Sequence, residues 1–253
     1  MVGKLLKYEI PALGRKLVPL YFAWMATAVL LGFSANRVAS KTELIMLIAV
    51  LLYIGIAAAI FVMGVVMIVQ RYNVSLLGDE GYFMHVLPVS AGDHIACKTI
   101  SAIIWVTLSF VVLVVTAFLI TLSGGAGVEV FRYIGSVLSQ ATVKEWLVML
   151  EFIVVCIFSL SKSILAVYAA ITIGHQAKQH TVLTGIVAYL AILVFETIIG
   201  KIATIVLEES FFYPTSTGQM ALLLGGAFVM TLVLCGIYFA ICKELMEKRL
   251  NLA

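Results

Sequence analysis

Arg71 to Lys98 reads RYNVSLLGDEGYFMHVLPVSAGDHIACK, and on either side of it the chain turns almost wholly apolar. The stretch is the longest break between hydrophobic runs and is too polar to lie in lipid. Gly78 and Gly81 bracket Asp79-Glu80. Beyond them Tyr82, Phe83, Val86 and Leu87 recur at helical neighbour spacing, which predicts a short helix with one apolar face. Asp79 is placed to cap that helix and Pro88 to stop it. Ser90-Ala91-Gly92-Asp93 then forms a capping-box pattern ahead of the next apolar run. A capped amphipathic helix strapped between two spans is either a docking surface for a soluble partner or an interfacial hairpin resting on lipid headgroups. Periodicity alone leaves both open.

The flanking runs set the class. Of 253 residues, 63% are hydrophobic and 11% charged, with a mean hydropathy of +1.16. A soluble chain carries roughly a quarter of its residues as charges. The composition therefore predicts an all-α integral membrane protein. Six runs are long enough for the ~20 residues a helix needs to cross the hydrocarbon: about 17–33, 44–70, 99–122, 146–171, 182–202 and 219–242. Residues 1–16 mix Lys4, Lys7, Arg15 and Lys16 with Leu5, Leu6, Tyr8 and Ile10, as an interfacial amphipathic helix does, with a break expected at Pro11. A cleaved signal peptide competes for the first run. The long preceding region, which contains Glu9, favours an uncleaved anchor.

Six spans put both termini on one side, and charge selects the side. With the N-terminus inside, the inner segments hold Lys4, Lys7, Arg15, Lys16, Arg71, Lys98, Lys162, Lys178, Lys243, Lys248 and Arg249. The outer ones hold Arg37, Lys41, Arg132, Lys144 and Lys201. Eleven against five predicts cytoplasmic termini and a cytoplasmic 71–98 loop. The outer segment 123–145 carries Val130, Phe131, Ile134, Val137 and Leu138 as a helical stripe, with Trp146 at the interface. A second outer cluster is Phe211, Phe212, Tyr213 and Pro214. There is no internal repeat, and no segment between spans reaches the length of a soluble domain.

Several chemistries are excluded or weak. A P-loop needs GxxxxGK[ST] so that backbone amides and a lysine neutralise phosphate. At Gly200-Lys201 the next residue is Ile202, and Phe195 stands where the first glycine should be. The chain is not expected to be an enzyme, and any ATP hydrolysis belongs to another subunit. Glu208-Glu209 resembles the paired glutamates of prenyl-endopeptidase-like membrane proteases, but neither the following arginine nor intramembrane histidines are present. His85, His94, His175 and His180 all fall in predicted loops. His175 and His180 lack a third metal ligand. Cys97, Cys156, Cys235 and Cys242 have no CxxC spacing and read as reduced membrane-segment cysteines. A net charge of +3 without a polybasic block gives no sign of nucleic-acid binding.

Ionisable residues at membrane depth are expensive and mark functional sites by default. Glu151, Glu196 and Lys162 are the transport-path candidates, against a plain helix-packing role. Glu151 and Lys162 share one face of the fourth span, too far apart to pair. Glu196 and Lys201 are placed toward the outer end of the fifth, where Lys201 can snorkel. Gly225, Gly226 and Gly236 suit close helix packing, at a subunit contact.

Six spans with an N-terminal amphipathic segment resemble the ABC-2 type exporter permeases of Gram-positive bacteria. More specifically, Arg71-Tyr72, Gly78-Asp79-Glu80-Gly81-Tyr82 and Leu87-Pro88-Val89-Ser90 are similar to the segment between the second and third spans in one branch of that family. Ile173-Gly174-His175-Gln176-Ala177-Lys178-Gln179-His180 resembles the same branch's second cytoplasmic loop. The resemblance covers essentially the whole chain. It implies a single transmembrane domain over 1–253, with 1–16 interfacial, 71–98 the coupling loop and 123–145 extracellular.

It further implies a half-transporter in a bacterial plasma membrane, paired with a second permease chain, identical or a sister. Cytoplasmic ABC ATP-binding subunits would carry the ATP and Mg. The helix Gly78, Asp79, Glu80, Gly81, Tyr82, Phe83, Met84, Val86, Leu87 would dock into the ATPase. Members of the class move peptides, lipids, glycoconjugates or drugs. The apolar spans suit an amphipathic cargo. Two other readings stand beside this one: an ion-coupled secondary transporter using Glu151 or Glu196, and a non-transporting membrane immunity or sensor subunit.

Overall fold

The computed structural model describes residues 2–36, 43–77, 90–177, 179–206, 212, 214 and 216–248. Among them the only regular structure is helical. In chain order the helices are α1 (Val2–Asn36), α2 (Glu43–Tyr72), α3 (Ala91–Ser123), α4 (Gly127–Gln140), α5 (Val143–Gly174), α6 (Thr181–Val206) and α7 (Thr217–Lys248). A π-helical turn, Asn73–Leu77, extends α2. Six of these, all but α4, are long and apolar enough to cross a membrane. They coincide with the six runs read from the sequence. At ~1.5 Å per residue they extend beyond the ~30 Å hydrocarbon thickness into the headgroup zone.

The expected break at Pro11 does not occur: α1 runs unbroken through Pro11 and Pro19. An interior proline removes one hydrogen bond and crowds the carbonyl four residues back. Here the compensation is packing. Leu13, Leu17, Tyr21, Trp24 and Ala28 recur at three- and four-residue steps and are all buried, a stripe that only a continuous helix presents to its neighbours. The amphipathic N-terminal segment is thus the first four turns of the same helix as the apolar run that follows it.

The chain packs as two compact units. One comprises 6–68 with 104–141; the other comprises 1–5, 69–103 and 142–253. The first has an aromatic centre built from Leu13, Leu17, Tyr21, Trp24, Ile60, Met67 and Trp105. Tyr21 Oη and Ser109 Oγ are 2.6 Å apart, Tyr53 Oη and Thr116 Oγ1 3.0 Å, and Trp24 packs against Tyr53. At Gly32 a Cβ would overlap the Ser123 hydroxyl and lie 2.5 Å from the Ile120 carbonyl. Only glycine lets α1 and α3 approach this closely. The helical stripe read in 123–145 is realised in α4, whose Phe131 meets Phe118 edge-on at 5.1 Å, while Ile134, Val137 and Leu138 remain exposed.

In the second unit α5 is the central helix, packed most extensively along α7 and next along α6. Residues 164–166 and 168–170 of α5 are buried. At the turn from α5 to α6 the backbones nearly touch. A Cβ on Gly174 would lie 2.7 Å from the Thr181 carbonyl and 2.9 Å from Gly185 Cα. His180, with φ of 64°, turns the chain into α6 and accepts the amide of Thr184.

Candidate functional site

Of the capping box read at Ser90, the N-cap half is present. The Asp93 amide donates to Ser90 Oγ at 3.2 Å, and that hydroxyl donates to Asp93 Oδ2 at 3.0 Å. This starts α3 directly after residue 90. Against the same end, the Gly92 Cβ position faces Phe239 and Lys243 of α7 at 3.5 and 3.9 Å. His94, read as a loop residue, is instead buried in the first turn of α3, because the cap at Ser90 commits the following residues to the helix. The docking residues Gly78, Asp79, Glu80, Gly81, Tyr82, Phe83, Met84, Val86 and Leu87, with Pro88, lie outside the described residues, as do Glu208 and Glu209.

The other flank of that loop is locked to the second unit. Tyr72 lies flat on Tyr168, ring centroids 3.9 Å apart and planes within 7°. Its Oη is 2.8 Å from Thr172 Oγ1. Thr172 spends its own proton on the Tyr168 carbonyl, so Tyr72 is the donor. One residue on, Asn73 Oδ1 is 2.6 Å from His175 Nε2, which tethers the π-helical turn to the end of α5. Burial pushes the His175 imidazole below its ordinary pKa. π-helical turns recur at functional positions. This one leads directly into residue 78. The sequence reading had Arg71-Tyr72 as part of a motif but no reason to join it to Tyr168 or Thr172, about a hundred residues away.

Within the spans, two of the three path candidates come together. Lys162 Nζ of α5 reaches Glu196 Oε2 of α6 at 2.7 Å. Tyr238 Oη of α7 donates to the other carboxylate oxygen, Oε1, at 2.8 Å. The charged side chains retain 19% and 21% of their surface. One carboxylate thus joins three helices through two donors. Near this trio Cys235 Sγ approaches the Phe158 carbonyl at 3.6 Å. Glu151 is elsewhere: its Oε1 lies 3.5 Å from the Cβ position of Gly225. Gly225 therefore serves contact within the chain, whereas the Gly226 and Gly236 positions face open space.

Two placements change. Lys162, counted with the inner segments, lies twelve residues before Gly174, the end of α5, or about 18 Å along the axis. It lies well inside a helix long and apolar enough to cross a membrane, not in a loop. Glu196, placed toward the outer end of its span, lies ten residues from the C-terminal end of α6 and fifteen from its start. Tyr238 was missed. In the run read as 219–242 it lies four residues from the end, where an interfacial tyrosine is expected, and only the longer helix Thr217–Lys248 sets it deeper. Among the described residues no three His, Cys, Asp or Glu side chains gather as a metal site would require.

Fold and site together define a multi-pass, all-helical membrane protein with an ion pair inside its spans. No protein-family model, curated protein or solved structure matches the chain.

Proposed function

We propose that this chain is the permease subunit of an ATP-driven exporter in a bacterial plasma membrane. In this reading both termini are cytoplasmic, the ATPase is supplied by a separate subunit, and a second permease chain completes the pathway. The observation that carries it is the anchoring of the 78–89 loop. On one side Tyr72 and Asn73 are fastened to α5. On the other Ser90 caps α3 beside α7. A force applied to that loop by a partner would reach the helices that hold Lys162 and Tyr238, which is what coupling ATP hydrolysis to helix movement requires. The resemblance of Gly78–Ser90 to the coupling segment of ABC-2 permeases supports the same reading, in which ATP and Mg belong to the partner.

The test is co-purification with a P-loop ATPase encoded beside the gene, followed by vanadate-sensitive ATP hydrolysis by the complex. Tyr82→Ala with Phe83→Ala is expected to reduce ATPase association at least tenfold, the scale of losing one aromatic anchor, with normal membrane insertion. Wild-type association in that variant would remove the docking assignment. A second reading, ion-coupled transport, is favoured by one observation, the Lys162–Glu196–Tyr238 chain within the spans. It predicts gradient-driven transport by the chain alone, abolished by Glu196→Gln.

A further inference from the structure

We propose that Lys162 and Tyr238 form an intramembrane cradle for the anionic headgroup, carboxylate or phosphate, of a membrane amphiphile, and that Glu196 occupies this cradle as an internal stand-in for the ligand. The two donors address separate oxygens of one carboxylate, Nζ to Oε2 at 2.7 Å and Oη to Oε1 at 2.8 Å. That is the arrangement an exogenous oxyanion would need.

The sign of the ligand follows from how the three helices are held. Lys162 and Tyr238 stand on α5 and α7, the most extensively packed pair in this unit. Glu196 stands on α6, which packs less extensively along α5 than α7 does and is half-buried only along a stripe running from Thr181 to Ala203, the other positions from 182 to 205 being exposed. No residue of its most apolar stretch is buried, against a third in α5. When α6 moves out, the donors stay together and the carboxylate leaves. What remains is a positively charged, two-donor site in a low-dielectric setting, which is costly empty and favours an anion.

The ligand's tail is addressed by the surroundings. The exposed faces of α6 and α7 beside the site are apolar, with Val194, Phe195 and Ile198 on one and Val233 and Ile237 on the other. The charged pair keeps about a fifth of its surface, so the cradle is not sealed off from its surroundings. A headgroup on an acyl or other apolar chain meets both requirements, whereas a free oxyanion would have to leave water entirely. The inference borrows from the permease reading only in treating the ligand as cargo; binding to the isolated chain tests it separately.

The experiment measures binding of the fluorescent fatty acid parinaric acid, and of its methyl ester, to the purified full-length chain in phosphatidylcholine nanodiscs without ATPase. Glu196→Gln keeps the side chain's shape but replaces the ionic stand-in with a weaker acceptor. It is expected to tighten binding of the acid roughly tenfold, the scale of one charge-assisted hydrogen bond, and to leave the ester unchanged. Tyr238→Phe, which keeps the ring and removes one donor, is expected to weaken binding of the acid several-fold, and Lys162→Gln to abolish it. Equal or weaker acid binding by Glu196→Gln would overturn the proposal. So would equal gains for acid and ester, which would mean a merely apolar site. Competition by inorganic phosphate at concentrations that leave the ester unaffected would overturn the assignment to an amphiphile and indicate a free oxyanion. If the acid binds as expected while no ATPase associates, the cradle stands and the permease reading falls.

Discussion

The two compact units solve the same problem, holding helices together in lipid, with different chemistry. In the unit of 6–68 and 104–141, the spanning parts of α1, α2 and α3 hold no Asp, Glu, Lys or Arg from Leu17 to Asn36, Leu44 to Ile68 or Ile104 to Ser123. Its seams are aromatic stacks and hydroxyl pairs, Tyr21 with Ser109 and Tyr53 with Thr116. The unit of 69–103 and 142–253 also uses tyrosines, but it places a full ion pair at mid-helix. Lipid offers no hydrophobic driving force between helices, so packing and polar contacts must supply association. Neutral hydroxyls suffice for that. A buried ion pair is a poor choice for stability alone, because its desolvation consumes much of the Coulomb gain. The difference lies at mid-helix: the first unit also buries a charge, Glu9, but in the turns of α1 ahead of Leu17, whereas the second sets its ion pair well inside its long helices.

The largest expected effect breaks that difference directly. Lys162→Met alone leaves Glu196 without its counter-ion, with only the Tyr238 hydroxyl donating to it, and is expected to destabilise the chain by about 3 kcal/mol. That is the low end for a broken buried pair, since both groups keep some exposure. Adding Glu196→Leu should recover most of the loss, because a well-packed apolar pair replaces a charged one. Thermal unfolding in detergent, followed by size-exclusion, measures both. If the double variant stays as unstable as the single one, the pair is structural and the contrast between the units disappears.

A second, smaller effect tests what the units share. Gly32→Ala in the first and Gly174→Ala in the second each drive a methyl into backbone, at 2.5 Å from the Ile120 carbonyl and 2.7 Å from the Thr181 carbonyl. Each is expected to cost about 2 kcal/mol by overpacking. Close backbone approach at glycine is then a common device, and only the ion pair separates the units. A neutral result at either position would show that the helices there slide apart freely.

Much of this was legible in advance. Span number and placement follow from hydropathy because a helix must satisfy its own backbone in lipid, which makes apolar run length nearly sufficient. The cap at Ser90 was readable because its partner is three residues away. Pro11 misled because the local cost was visible and the distant compensation, the buried stripe from Leu13 to Ala28, depends on packing. The site was half visible. Glu196 and Lys162 stood out as charges in apolar runs, but their pairing and the arrival of Tyr238 are matters of helix azimuth and register across 34 and 42 residues. Tyr72 on Tyr168 is longer-range still, and no one-dimensional pattern encodes it.

The smallest effect asks whether the second unit is also where the protein senses pH. All four histidines, His85, His94, His175 and His180, belong to that unit's sequence, and the first unit has none. Burial holds the His175 pKa below its ordinary value. The folded chain therefore binds fewer protons at this site than the unfolded chain does. Its contribution to stability is full above the unfolded pKa of about 6.5 and is lost as pH falls through the lower folded value. The bond to Asn73 need not break, since an imidazolium still donates from Nε2; the loss comes from charging a half-buried ring. Between about pH 7.5 and pH 5, the thermal midpoint of the wild type should fall more than that of His175→Gln, whose amide donates to Asn73 without titrating. The difference should be smaller than either effect above. Hydrogen exchange should place it at the end of α5 and the π-helical turn at 73–77, with α1 and the second half of α3 unchanged. Equal slopes for the two proteins would assign any pH response to the other histidines and leave the Asn73–His175 tether as a pH-independent fastening of the loop.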